Sequence, residues 1–66
     1  MTPQATKLIE ECSEVIHALC KIERFGPDGT HPDSGETNEK RLFSEIEDLD
    51  KAVRAYLESL GFEGTE

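Results

Sequence analysis

Several common functional motifs are absent from the 66-residue chain. It contains no Gly-rich phosphate loop, no nucleophile elbow, no Cys-x-x-Cys motif and no Ser/His/Asp set. No apolar run approaches the ~20 residues that a transmembrane helix needs, and the N-terminus lacks the basic-then-apolar pattern of a signal peptide. We therefore expect a cytoplasmic protein that has no membrane partner.

Positive charge is scarce in this sequence. Seven Lys and Arg residues face fifteen Asp and Glu residues, which gives a formal net charge of −8. Nucleic-acid phosphates and anionic lipids would be repelled by such a chain, so neither is expected as a partner. The ordinary explanation of this acidity is solubility, but cations become the favoured ligands if the acids cluster in space.

The chain also lacks the means to form an internal disulfide. Cys12 and Cys20 lie eight positions apart on one predicted helix, which separates them by about 12 Å, too far for a bridge. We expect two free thiols that pack on a mostly buried helix face, as in a reducing compartment. Because so short a chain buries only about 60% of its unfolded surface, a metal or self-association remains as a further source of stability.

The apolar residues form two helical stripes. Their recurrence at i, i+3, i+4 and i+7 predicts helices over about 3–24 and about 38–60. A lone pair of helices leaves part of each stripe exposed to water. The sequence therefore predicts one all-α domain, 1–66, in which a helical hairpin of two antiparallel helices and a long loop assembles into a multi-helix bundle. This homo-oligomer would be a dimer or higher.

Turn-forming residues separate the two stripes. Residues 25–37 are rich in Gly, Pro, Asp and Ser and predict a loop, and loops of this length tend to be functional or disordered. The Asp and His side chains of the loop fit either metal ligands or solvated residues, and the second is the more ordinary. Gly61 should end the second helix, with Phe62 folding back on it, before a frayed tail over 61–66.

Each predicted helix carries a pair of acids on one flank of its stripe, with an alanine beside the pair. At about 100° per residue, Glu11 and Glu14 share a flank of the first helix, and Glu45 and Asp48 share a flank of the second. Antiparallel packing that joins the apolar stripes can bring these four carboxylates together at the rim of the core, and their repulsion favours a divalent cation. Carboxylates without His or thiolate ligands select Mg²⁺, or Mn²⁺, over Zn²⁺ and copper. Acid pairs at this spacing are, by themselves, more often a solvated helix face.

A family resemblance adds weight to the metal interpretation. It rests on two acidic half-motifs that follow in order on two amphipathic helices, Glu10-Glu11-x-x-Glu14 and Glu45-x-x-Asp48. Together they resemble the signature of the MazG-like all-α nucleoside triphosphate pyrophosphohydrolases, and residues 21–26 with the Pro-containing loop are similar to small phage and bacterial members. The similarity covers about 8–56, nearly the whole chain.

The resemblance implies an oligomeric helical bundle that hydrolyses a nucleoside triphosphate to the monophosphate and pyrophosphate. The implied Mg²⁺ ligands and catalytic residues are Glu11, Glu14, Glu45 and Asp48. Mg²⁺ clamps phosphates in such a site, and a carboxylate that is not fully engaged takes a proton from water. Phosphate charge can be neutralised by Lys21, Arg24 or Lys51, although each of the three also fits an exposed surface position.

The sequence leaves alternatives to this activity open. Fuller members of the family carry additional helices and a downstream Asn that are not found here. A non-catalytic protein that binds nucleotides or sequesters a nucleotide signal, as a phage protein acting in the host cytoplasm would, is the alternative on the same fold. A third is an acidic hairpin that acts only as an interaction module. We expect His17 to be an exposed bystander and Tyr56 to be a core residue.

Overall fold

The computed structural model describes residues 1–61 and consists of two α-helices, α1 over Pro3–Phe25 and α2 over Asn38–Ser59. The prediction of two helices that pack against each other is confirmed. Within residues 1–61 no strand is formed, and only one isolated β-bridge joins Thr30 to Thr37. Within the same residues, neither helix is long and apolar enough to cross a membrane.

Both helices begin at a threonine cap. Thr2 Oγ1 accepts a hydrogen bond from the Ala5 amide at 3.1 Å, and Thr37 Oγ1 accepts one from the Lys40 amide at 3.1 Å. These caps satisfy amides that the helix itself cannot pair. Gly26 ends α1 with a φ of 83°, which favours glycine, and Gly61 follows α2 with a φ of 92°. The predicted contact of Phe62 with α2 lies outside the described residues.

The connecting segment, residues 26–37, is tied to the start of α2 by hydrogen bonds. The Asn38 amide donates to the Gly29 carbonyl at 2.8 Å, and the Glu39 amide donates to the Pro27 carbonyl at 3.0 Å. The side chain of Asn38, which is 4% exposed, donates from Nδ2 to the Gly26 carbonyl at 3.0 Å. Helix amides that would otherwise need water are therefore paired with loop carbonyls, which fixes the path of the chain beside α2.

The helices meet along their alanine-bearing flanks. Ala18 and Ala52 are the buried apolar residues, with exposures of 6% and 5%. Side chains this small let two helices approach closely. The pairing is antiparallel, because Lys21 near the end of α1 shares a cavity with Asn38 at the start of α2, while Glu11 lies beside Asp48 further along α2.

A second consequence of this packing is that much of the apolar surface stays uncovered in the single chain. The large apolar side chains of the helices that remain exposed are Ile9, Ile16, Leu19, Phe25, Phe43, Ile46 and Val53. Cys12 and Cys20, which we expected on a buried face, are exposed for the same reason. Leu8, Val15, Leu42 and Leu49 are half-buried, and so is Tyr56.

Six of these seven exposed apolar residues, all except Phe25, lie on one side of the hairpin. At about 100° per residue, Ile16 and Val53 fall on the flanks of their helices that face away from Glu14 and Arg41. In an antiparallel pair these two flanks are on the same side. The hairpin therefore has an apolar face, defined by Ile9, Ile16, Leu19, Phe43, Ile46 and Val53, and a polar face on the other side.

Candidate metal centre

Three of the four predicted carboxylates converge between the helices. Glu11, Glu45 and Asp48 each offer one oxygen, and these oxygens lie within 4.8 Å of one another. Glu11 is 7% exposed and Glu45 is 8% exposed, whereas Asp48 faces solvent. The convergence depends on the close approach at Ala18 and Ala52, because a wider gap would separate acids that come from different helices.

The fourth predicted carboxylate, Glu14, is a neighbour of this cluster. It lines a cavity together with Glu45, and its negative charge contributes to the raised pKa of Glu45. It is not among the three residues whose oxygens converge. Glu10, the outer member of the first half-motif, is exposed on α1.

Repulsion among the carboxylates of the cluster affects the pKa of Glu45. Burial, followed by the charge of Glu14 and then those of Asp48 and Glu11, raises the pKa of the Glu45 carboxyl above its ordinary value. The guanidinium of Arg41 opposes this rise but does not cancel it. A buried carboxylate among like charges is costly to ionise. Additional positive charge near Glu45 would therefore favour its ionised form.

Two side-chain cations supply part of that charge. Lys7 Nζ lies 2.9 Å from Glu11 Oε2, and Arg41 Nε lies 3.2 Å from Glu45 Oε2. The hydrogen bond to Glu11, together with its charge, raises the pKa of Lys7. Arg41 also reaches Glu36 Oε1 at 3.4 Å. Both cations are drawn from the same helix as their acid, at the i, i+4 spacing that favours such pairs.

A polar cavity of about 230 Å³ opens beside the cluster. Its walls combine the acids Glu14 and Glu45 with the bases Lys21 and Arg41. The remaining lining residues are His17, Ala18, His31 and Asn38. A ligand with negative groups and an associated metal cation would find complementary charge in this cavity, because the cavity has both basic and acidic lining residues.

The three basic residues predicted for phosphate binding are distributed differently. Lys21 lines the polar cavity, whereas Arg24 lines an apolar depression with Ile16 and Leu19. Lys51 is exposed on α2. Only Lys21 of these three is therefore placed next to the cavity that adjoins the carboxylates.

Sequence reasoning did not identify Arg41, His31 or Asn38 as residues of this cavity. Arg41 had a readable signal, because it precedes Glu45 by four positions on a helix. Asn38 had no comparable signal, because its place depends on hydrogen bonds to loop carbonyls. The position of His31 depends on how residues 26–37 fold back, which helical periodicity does not report.

Comparison with protein-family models, with curated proteins and with solved structures finds no match for this chain. The MazG-like assignment consequently stays a prediction from the two acidic half-motifs.

Proposed function

We propose that the protein hydrolyses a nucleoside triphosphate to the monophosphate and pyrophosphate in a Mg²⁺-dependent reaction. The observation that carries this proposal is the convergence of Glu11, Glu45 and Asp48 oxygens within 4.8 Å, next to a cavity that Lys21 and Arg41 line. Acidic ligands for a cation beside basic ligands for phosphates are the combination that a metal–nucleotide complex requires. The resemblance to MazG-like enzymes supports the same reaction.

The donor set fits Mg²⁺. Three carboxylates, without a His or thiolate among the converging atoms, offer the hard oxygen ligands that Mg²⁺ and Mn²⁺ prefer. Burial and the neighbouring carboxylates raise the pKa of Glu45, which supports a cation at this position. Glu11, Glu45 and Asp48 would hold the ion, and bound Mg²⁺ supplies charge stabilisation for the phosphates.

The other residues of the cavity have separate roles in this proposal. Lys21 and Arg41 would bind phosphate oxygens, and Arg41 would give up its ion pairs with Glu36 and Glu45 to make these contacts. Glu14 is next to the cluster but outside the converging set, so its carboxylate is free to accept a proton from the attacking water. Water then adds to phosphorus, and pyrophosphate leaves.

Nucleotide binding without hydrolysis is the second candidate. It is favoured by the ion pairs of Lys7 with Glu11 and of Arg41 with Glu45, because they organise the carboxylates without a metal. A protein of this kind would sequester a nucleotide rather than consume it. In this candidate, Lys21 and Arg41 would bind phosphates while Glu14 has no chemical role.

Turnover assays separate the two candidates. The protein is incubated with a panel of nucleoside triphosphates and Mg²⁺, or with EDTA, and pyrophosphate release is measured. We expect release only with Mg²⁺, and a loss of about 10²-fold or more in Glu14→Gln, the range typical of a general base. Glu47→Gln, an exposed residue of α2, is the matched control. Tight binding without product would refute the enzyme and support sequestration.

We also propose that the apolar face pairs with a second copy of the chain. Ile16 and Phe43, with exposures of 61% and 62%, are too apolar to face water without cost. Joining two such faces would give a closed bundle and leave the polar cavities on the outside. Ile16→Glu should shift the mass measured by light scattering towards the monomer, whereas Ser44→Glu, at an exposed position on the Arg41 side of α2, should not. An unchanged mass in Ile16→Glu would contradict this interface.

A further inference from the structure

A second cavity adjoins the polar one at the end of the hairpin. It has a volume of about 210 Å³. The two cavities share three lining residues, Lys21, His31 and Asn38. Only the second is lined by Phe25, Thr30 and Pro32. Neither space alone reaches the ~300 Å³ at the lower end of ordinary small-molecule sites, but a ligand that spans both would have enough room.

His31 lies at the junction and has a ring nitrogen without a partner. Its Nε2 atom is buried and makes no hydrogen bond with any residue in 1–61. Buried polar atoms of this kind are uncommon because the loss of hydration is not compensated. The imidazole forms part of both walls, and a turn of the ring toward the second cavity would place this nitrogen against a ligand there.

Phe25 gives the second cavity a different chemistry from the first. It is the last residue of α1 and is 63% exposed. An exposed aromatic ring beside Pro32 offers a flat apolar surface, and such rings stack on nucleobases with little dependence on base identity. Lys21, with its positive charge, stands on the side shared with the phosphate-binding space.

The loop that carries His31 is held in place before any ligand arrives. The His31 amide donates to the Glu36 carbonyl at 2.9 Å, and the Gly35 amide donates to the His31 carbonyl at 2.8 Å. On the other side of the cavity, Asn38 is fixed by its hydrogen bonds to the chain at Gly26 and Gly29. The second cavity is consequently a preformed feature of the hairpin.

We propose that this second cavity is the nucleobase subsite, in which Phe25 stacks on the base and His31 Nε2 forms a hydrogen bond with it. The proposal rests on the proposed function, because the phosphates of the same nucleotide are taken to lie in the polar cavity. It assigns base recognition to the chain's own loop. Phosphate binding and base binding thus depend on different residues, which makes the two separable by experiment.

The test compares ligands with and without a base. Calorimetric titrations in Mg²⁺ use α,β-methylene analogues of the four ribonucleoside triphosphates, and inorganic triphosphate as the base-free probe. The variants are His31→Ala and Phe25→Ala, with Asp33→Asn as an exposed control in the same loop. Thermal unfolding is measured for each. Phe25→Ala removes an exposed side chain, so it keeps the test decisive if His31→Ala does not fold.

We expect the wild type to bind at least one analogue more tightly than inorganic triphosphate. The losses in His31→Ala and Phe25→Ala should each be about tenfold for that analogue, the size of one hydrogen bond or one stacked base. Binding of inorganic triphosphate should be unchanged in both, and Asp33→Asn should resemble the wild type.

Two other results overturn the proposal in distinguishable ways. If the variants bind the analogue as the wild type does, or lose both ligands equally, the base subsite is wrong while nucleotide binding stands. If the wild type binds neither the analogues nor inorganic triphosphate, the proposed function fails and the subsite fails with it.

Discussion

Replacing Glu45 by glutamine should stabilise the metal-free protein and remove its stabilisation by Mg²⁺. Glu45 is 8% exposed, and one of its oxygens lies within 4.8 Å of oxygens from Glu11 and Asp48. At 4.8 Å, two like charges repel by about 0.9 kcal/mol in water and about 3.5 kcal/mol at an effective dielectric constant of 20. Two such repulsions are relieved in the variant.

The loss of the Arg41 ion pair offsets part of this gain. Arg41 is about half exposed, and pairs of this kind contribute about 0–1 kcal/mol. The glutamine carbonyl also remains able to accept a hydrogen bond. We therefore expect a net stabilisation of at least about 1 kcal/mol without metal, which corresponds to a rise of about 4–8 °C in the unfolding midpoint of a domain this small.

The measurement is thermal unfolding by circular dichroism, in EDTA and in saturating Mg²⁺, at one protein concentration because the proposed self-association would contribute to stability. The wild type should gain stability from Mg²⁺, whereas Glu45→Gln should gain little, so the order of the two proteins reverses. Glu47→Gln, exposed on the same helix, should follow the wild type in both conditions. A lower midpoint for Glu45→Gln in EDTA, or an undiminished response to Mg²⁺, would refute the reasoning.

Three further predictions concern neighbouring groups. Lys7→Met should bind Mg²⁺ more tightly in calorimetry, because it removes the ammonium that lies 2.9 Å from Glu11 and competes with the ion. Gly29→Ala should lower the free energy of unfolding by about 1–3 kcal/mol, since a Cβ there would come within 2.9 Å of Asn38 Nδ2. Because the pKa of Glu45 is raised, the folded state takes up a proton above the ordinary carboxyl pKa. The free energy of unfolding in EDTA, measured with urea, should thus fall as pH rises through that interval, and this component should vanish in Glu45→Gln.

Each substitution control makes a comparable change at an exposed position away from the cluster. Lys40→Met has the same charge change on an exposed side chain and should leave Mg²⁺ affinity as it is. Asp33→Ala is a loop substitution at an exposed position, and its stability should match the wild type. The argument for Lys7 would be contradicted by weaker Mg²⁺ binding in Lys7→Met, and the argument for Gly29 by a Gly29→Ala variant with the same free energy of unfolding as the wild type. Identical pH profiles of stability for the wild type and Glu45→Gln would contradict the argument for Glu45.

The sequence predicted the helices well because their signals are local. Periodic apolar residues and the caps at Thr2 and Thr37 define the two elements without reference to the rest of the fold. Helical phase also placed Glu11 with Glu14, and Glu45 with Asp48, on common flanks. These groupings follow from the 3.6-residue period alone.

The faces along which the two helices pack could not be predicted from the sequence. We expected the apolar stripes to meet and the acids to lie at the rim, whereas the alanine flanks meet and Glu11 and Glu45 are buried between them. Helical periodicity shows which face of a helix is apolar. How closely two helices approach depends on the size of the side chains between them, and the small side chains of Ala18 and Ala52 allow the closer packing. The place of His31 depends on hydrogen bonds from Asn38 to loop carbonyls, and these are non-local.

The burial of Ala18 and Ala52 between the helices makes the geometry of the proposed metal centre sensitive to the distance between α1 and α2. Any larger side chain at either alanine would push α1 and α2 apart, and the oxygens of Glu11 would leave those of Glu45 and Asp48 before the helices themselves melted. Mg²⁺ affinity would then report sub-ångström changes in spacing that secondary-structure spectroscopy does not detect. Measuring Mg²⁺ affinity in a series from Gly through Ala to Val at position 18 would show how strongly it depends on the interhelical distance.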